Sequence, residues 1–100
     1  MPSKIDDYEC SRTLGKGHYS IVKLAKDQSG KLWAIKVFRK NDPKFKGKME
    51  SLVKSLRTEV EALKNLSHPN MVNMKDHKED ALWVQKNKTE PIMYIVLEYI

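Results

Sequence analysis

Only one stretch of the chain repeats its apolar residues at a helical period. Met49, Leu52, Val53, Leu56, Val60, Leu63 and Leu66 recur at steps of three and four, which places them on one face of a helix over 49–66. A lone amphipathic helix must bury its stripe against something else. The rest of the sequence offers strands. Residues 8–14 and 19–26 alternate or carry strand formers on either side of Gly15 and Gly17, and "LWAIKVF" at 32–38 is a short apolar run. Two more extended segments follow near 71–84 and 92–98, joined around the polar "QKNKTE". "DQSG" at 27–30 is a turn cluster, and "SHPN" at 67–70 stops the helix because proline cannot continue it. The expectation is an α+β domain: a five-stranded antiparallel sheet with one helix packed on it.

The chain has 100 residues, enough for one small domain with a modest core. No apolar run approaches the ~20 residues of a membrane span, and "MPSKIDDYEC" carries no apolar signal core. Cys10 is the single cysteine, so no internal disulfide can form, which fits a reducing compartment. These features point to an intracellular, cytoplasmic, soluble protein with no membrane partner. No His/Cys cluster has zinc spacing, and no metal site is expected.

The net charge of +6 is concentrated in one place, with Arg39, Lys40, Lys44, Lys46 and Lys48 relieved only by Asp42. Such a run can serve a nucleic acid or an anionic surface. Only Phe45 is interleaved with it, and no nucleic-acid motif accompanies it, so a solvated loop is the preferred reading. Cys10 reads as an ordinary thiol, His18 as an exposed loop residue, His68 as part of the turn after the helix, and Trp33 and Trp83 as packing.

Two charges are out of place. Glu59 falls inside the apolar arc of the helical wheel, while Glu50, Lys54, Arg57, Glu61 and Lys64 fall outside it. Lys36 sits in the middle of the strand 32–38 on the same face as Ala34. A carboxylate aimed at a core needs a cation. A Lys36–Glu59 pair answers both anomalies; alternatively Lys36 snorkels to solvent and Glu59 lies at the helix rim. Gly15 and Gly17, at the mouth of a strand where glycine weakens pairing, either make a tight turn or admit a phosphate close to the backbone.

In order along the chain, Gly15-Lys16-Gly17-His18-Tyr19-Ser20-Ile21-Val22, Ala34-Ile35-Lys36, Glu59, "HPN" and "YIVLEYI" resemble the amino-terminal lobe of a eukaryotic protein kinase. The resemblance covers about residues 8–100. "LSHPNMV" looks most like serine/threonine kinases of the calcium/calmodulin-dependent or AMP-activated kind. The resemblance implies that Gly15, Lys16, Gly17, His18, Tyr19 and Ser20 form the loop over the triphosphate of ATP, with Tyr19 at its tip. Leu14, Val22 and Ala34 would line the adenine slot, and Lys36, paired with Glu59, would hold the α- and β-phosphates. Leu97 takes the gatekeeper position. Glu98 would offer a backbone carbonyl, and Ile100 a backbone N–H, to the adenine.

Ser20 replaces the third loop glycine, and the segment between "HPN" and "YIVLEYI" is longer than usual, suggesting an extended hairpin through Trp83. The sequence contains neither an H-R-D-L-x-x-x-N catalytic loop nor D-F-G, so the catalytic base and the Mg2+ ligands of a complete kinase are missing from it. Asp6, Asp7 and Asp27 do not stand in for them. The reading is therefore an ATP-binding lobe, truncated at the hinge, of a serine/threonine kinase that acts on a protein substrate when completed by a carboxy-terminal lobe. Two alternatives are a free-standing, non-catalytic lobe that binds nucleotide or a partner, and a nucleic-acid or anionic-surface binder that works through the basic loop. The unbroken set Gly15, Gly17, Lys36 and Glu59 favours a lobe shaped for nucleotide.

Overall fold

The computed structural model describes residues 3–65 and 73–99. Among these residues there are six strands and one long helix: β1 Ser3–Ile5, β2 Tyr8–Lys16, β3 Ile21–Lys26, β4 Leu32–Arg39, α1 Met49–Asn65, β5 Met74–Val84 and β6 Thr89–Glu98. All pairings are antiparallel, and the order β1-β2-β3-β4-β6-β5 closes into a barrel. The expected five-stranded sheet is thus corrected to six strands. The added strand is β1, which joins the two edges by pairing Lys4 with Val84 and Ile5 with Trp83. It gives no sequence signal because it offers one apolar side chain, Ile5, and no alternation to read.

The turn from β1 to β2 places Asp6 at φ 50, a costly region for a non-glycine residue. Its carboxylate offsets that strain by accepting from the Tyr94 hydroxyl at 2.7 Å and from Lys78 at 3.2 Å. The β3–β4 turn is built on Asp27, which accepts from the Ser29 and Lys31 amides, the Ser29 hydroxyl and the Trp33 indole. β5 and β6 form the long hairpin through Trp83, with β6 beginning earlier than the sequence suggested. The helix stop at "SHPN" and the role given to His68 lie outside the described residues.

Strand alternation divides the apolar side chains between two cores. Trp33, Ile35 and Val37 of β4 meet Ile92, Tyr94 and Val96 of β6 inside the barrel, with Ile5, Cys10 and Trp83. The opposite face of the same strands carries Phe38, Met93 and Ile95, which bury Leu52, Leu56 and Val60 of α1. Strands covered on both sides read as continuous apolar runs, which is why "LWAIKVF" and "IMYIVL" show no alternation. Met49 is exposed, so the helix stripe is narrower than its period suggested.

The basic segment is not simply a solvated loop. Asp42 caps a short 3-10 turn, Pro43–Phe45, by accepting from the Lys44 amide at 3.1 Å. Phe45 is buried in the core beneath α1, while Lys44, Lys46 and Lys48 stay exposed.

Candidate functional site

Lys36 lies on the barrel's outer face, the one that receives α1. Register fixes its neighbours. Gly15 pairs with Val22, Val22 with Lys36, and Lys36 with Ile95, while Leu24 pairs with Ala34 and Ala34 with Leu97. Directly opposed residues of paired strands share a face. Val22, Ala34, Lys36 and Leu97 therefore form one patch beside the glycine turn, with Leu14 next to it on β2. Val22, Leu14 and Leu97 are partly exposed, as an open wall would be.

Into this patch α1 brings Glu59. Its Oε1 accepts from Lys36 Nζ, so the two anomalous charges of the sequence meet. The pair is not fully buried: the lysine side chain is 26% exposed and the glutamate 35%. The ammonium has three donors, and one carboxylate does not exhaust them.

The glycine turn closes tightly, with the Gly17 amide donating to the Ser20 carbonyl at 2.7 Å. Neither glycine of the pair is required by the chain itself. A Cβ on Gly15 would meet nothing within 4 Å, one on Gly17 would come no nearer than 3.5 Å to Ser20 Oγ, and neither has a positive φ. Space held open at Gly15, which is separated from Lys36 by Val22 of β3, suits a group that approaches the backbone from outside. Those residues fit a phosphate.

Around the turn, Lys16 and His18 are exposed, and His18 meets Tyr19 edge-on at 4.5 Å. Tyr19 stacks on Phe45 at 5.6 Å, a contact that sequence reading missed because it joins the loop tip to the basic segment. Beneath the turn lies a cavity of about 190 Å³ lined by Gly17, Tyr19, Ser20, Arg39, Asp42 and Phe45, among others. Glu98 pairs with Trp33, and its amide donates to Asn73 at 3.0 Å. Ile100 lies outside the described residues.

Among the described residues no group of three or more His, Cys, Asp or Glu side chains is arranged to hold a metal ion. Among the described residues, too, no helix is long and apolar enough to cross a membrane. Cys10 is buried, and burial pushes its thiol up to about 11, against the opposing pull of the Lys23 charge.

Comparison with known protein families matches residues 8–100 to the protein kinase domain. Among curated proteins, the chain is 32% identical over its whole length to serine/threonine-protein kinase cds1 of Schizosaccharomyces pombe, covering 20% of that protein. It is 35% identical across 98% of its length to DNA damage response protein kinase DUN1 of Saccharomyces cerevisiae, covering 18%. It is 43% identical across 65% of its length to human NUAK family SNF1-like kinase 2, covering 10%. The chain therefore spans a fifth or less of the length of these relatives.

Proposed function

The chain belongs to the protein kinase family, which it matches over residues 8–100, and on that premise we propose that it is the ATP-binding lobe of a serine/threonine protein kinase. Completed by a carboxy-terminal lobe, it transfers the γ-phosphate of ATP to protein serine or threonine. The observation that carries this reading is the Lys36–Glu59 contact on the face shared by Val22, Ala34 and Leu97, beside the open glycine turn.

Each residue has a part in that reading. Lys36 holds the α- and β-phosphates, with Glu59 fixing the position of its ammonium. Gly15 and Gly17 let the Gly15–Ser20 turn lie against the phosphates, with Lys16 and His18 at its surface. Leu14, Val22 and Ala34 flank the adenine, Leu97 bounds the slot, and the Glu98 carbonyl and Ile100 amide serve the adenine edge. ATP supplies the phosphoryl group; positioning and charge neutralisation do most of the catalysis in such transfers. The catalytic base is not among these 100 residues.

Thermal unfolding with nucleotide tests the reading. With a Kd of ~1 mM, ~10 mM ATP stabilises the fold by roughly 1.4 kcal/mol. For a domain of this size that raises the melting temperature by roughly 5–10 °C. Lys36→Ala should shrink the ATP shift to that of adenosine and leave the adenosine shift unchanged. An ATP shift no larger than the adenosine shift, or one unaltered in Lys36→Ala, overturns the assignment. Purified alone, the 100-residue chain should transfer no phosphate from labelled ATP to a mixed protein substrate.

A further inference from the structure

The apolar stripe sets which side of α1 meets the sheet, but its width leaves some latitude in the roll about the helix axis, because burial is not directional. The stripe of Leu52, Leu56 and Val60 packs with Met93 and Ile95 of β6, with Phe38 of β4 and Phe45, and with Met74 of β5 at its margin. In the barrel β6 lies between β4 and β5. The helix therefore straddles one strand with a neighbour on each side.

Arg57 and Glu59 are two residues apart, about 200° around the helix, so they leave it on opposite flanks of that stripe. Glu59 reaches Lys36 on β4. Arg57 reaches Glu79 on β5 through two parallel bonds: Nε donates to Oε2 at 2.8 Å and Nη2 to Oε1 at 2.9 Å. From sequence, Arg57 reads as one more charge outside the apolar arc, and Glu79 has no visible partner.

We infer that the Arg57–Glu79 fork sets the roll of α1 and thereby holds Glu59 against Lys36, making both positioning residues for the phosphate site. The inference rests on the functional reading above for its effect on nucleotide, but not for its effect on the helix. At a side-chain radius of about 5 Å, a roll of about 30° displaces a headgroup by about 2.5 Å, enough to break a hydrogen bond. A roll that frees Glu59 from β4 moves Arg57 by the same angle on the other flank, and a planar two-bond fork tolerates little misalignment. Arg57 is 67% exposed and Glu79 37%, so the fork adds little to global stability. Its value lies in orientation.

The test is a double-mutant cycle, Lys36→Met with Glu59→Gln, read by urea unfolding in the native background and again with Arg57→Ala, Arg57→Lys, or the swap Arg57→Glu with Glu79→Arg. The Lys36–Glu59 coupling should fall by half or more in Arg57→Ala, fall less in Arg57→Lys, and return in the swap. In parallel, the preference for ATP over adenosine should drop about 5-fold, the low end of coupling between linked sites. Coupling unchanged in Arg57→Ala overturns the inference. If Arg57→Ala fails to fold, a folded swap without coupling overturns it equally. Coupling that falls while the ATP preference holds leaves the anchor standing and removes the phosphate reading instead.

Discussion

Glu59 meets Lys36 across the junction of helix and sheet with roughly a quarter to a third of each side chain still in contact with solvent. That exposure decides what breaking the pair costs. A fully buried partner left alone costs ~3–5 kcal/mol, and a surface pair contributes ~0–1. Glu59→Gln should therefore destabilise by about 1–2 kcal/mol in urea unfolding, between those limits. A loss beyond that range would mean that water does not reach the pair.

Arg39 and Glu90 present the opposite case. Glu90 is the buried charged residue among those described, and Arg39 grips it at 2.8 and 3.2 Å, with Gln85 at 3.3 Å and Lys88 at 3.5 Å. Burial pushes its carboxyl up, but the Arg39 hydrogen bonds and the Arg39 and Lys88 charges together hold it below the ordinary range. Arg39→Ala should cost toward the lower end of ~3–5 kcal/mol, since Lys88 remains. Because the folded pKa is depressed, this contribution is present above the ordinary glutamate range and lost as pH falls through the folded value. Acid unfolding of Arg39→Ala should show a shallower pH dependence than that of the native chain.

At the other end of the scale, burial of Cys10 should make the protein sensitive to alkali. Its folded pKa of about 11 lies above the ordinary thiol value, so the stability is present below pH 9 and lost as pH rises towards 11. Two pKa units correspond to roughly 2–3 kcal/mol. Tyr94 shifts in the same direction, raised by burial and by its bond to Asp6. Cys10→Ala should flatten the decline in urea stability between pH 9 and 11. An unchanged slope would assign the alkaline loss to Tyr94 alone.

The basic segment separates charge from packing. Replacing Lys44, Lys46 and Lys48 by glutamine should change stability by no more than about 0.5 kcal/mol and leave nucleotide binding intact. Phe45→Ala, which empties a site 4% exposed, should cost about 3–4 kcal/mol. Tight nucleic-acid binding at physiological salt, lost in the triple variant, would reverse the assignment of these lysines to solvent.

By itself the sequence determined the helix and four of the strands closely, and it marked Lys36 and Glu59 as charges in need of a partner. Each of these leaves a local mark: a 3.6-residue period, a short apolar run, or a charge where an apolar residue belongs. Only the tertiary structure decided the rest. The closing strand β1 pairs Lys4 and Ile5 with Val84 and Trp83 of β5, residues far apart in sequence. Burial of Phe45 beneath α1, its stack with Tyr19, and the Arg57–Glu79 fork likewise join segments far apart in sequence. An aromatic in a basic run and a charge on a polar helix face look ordinary one at a time; their partners are chosen by how the barrel closes and how the helix lies across it.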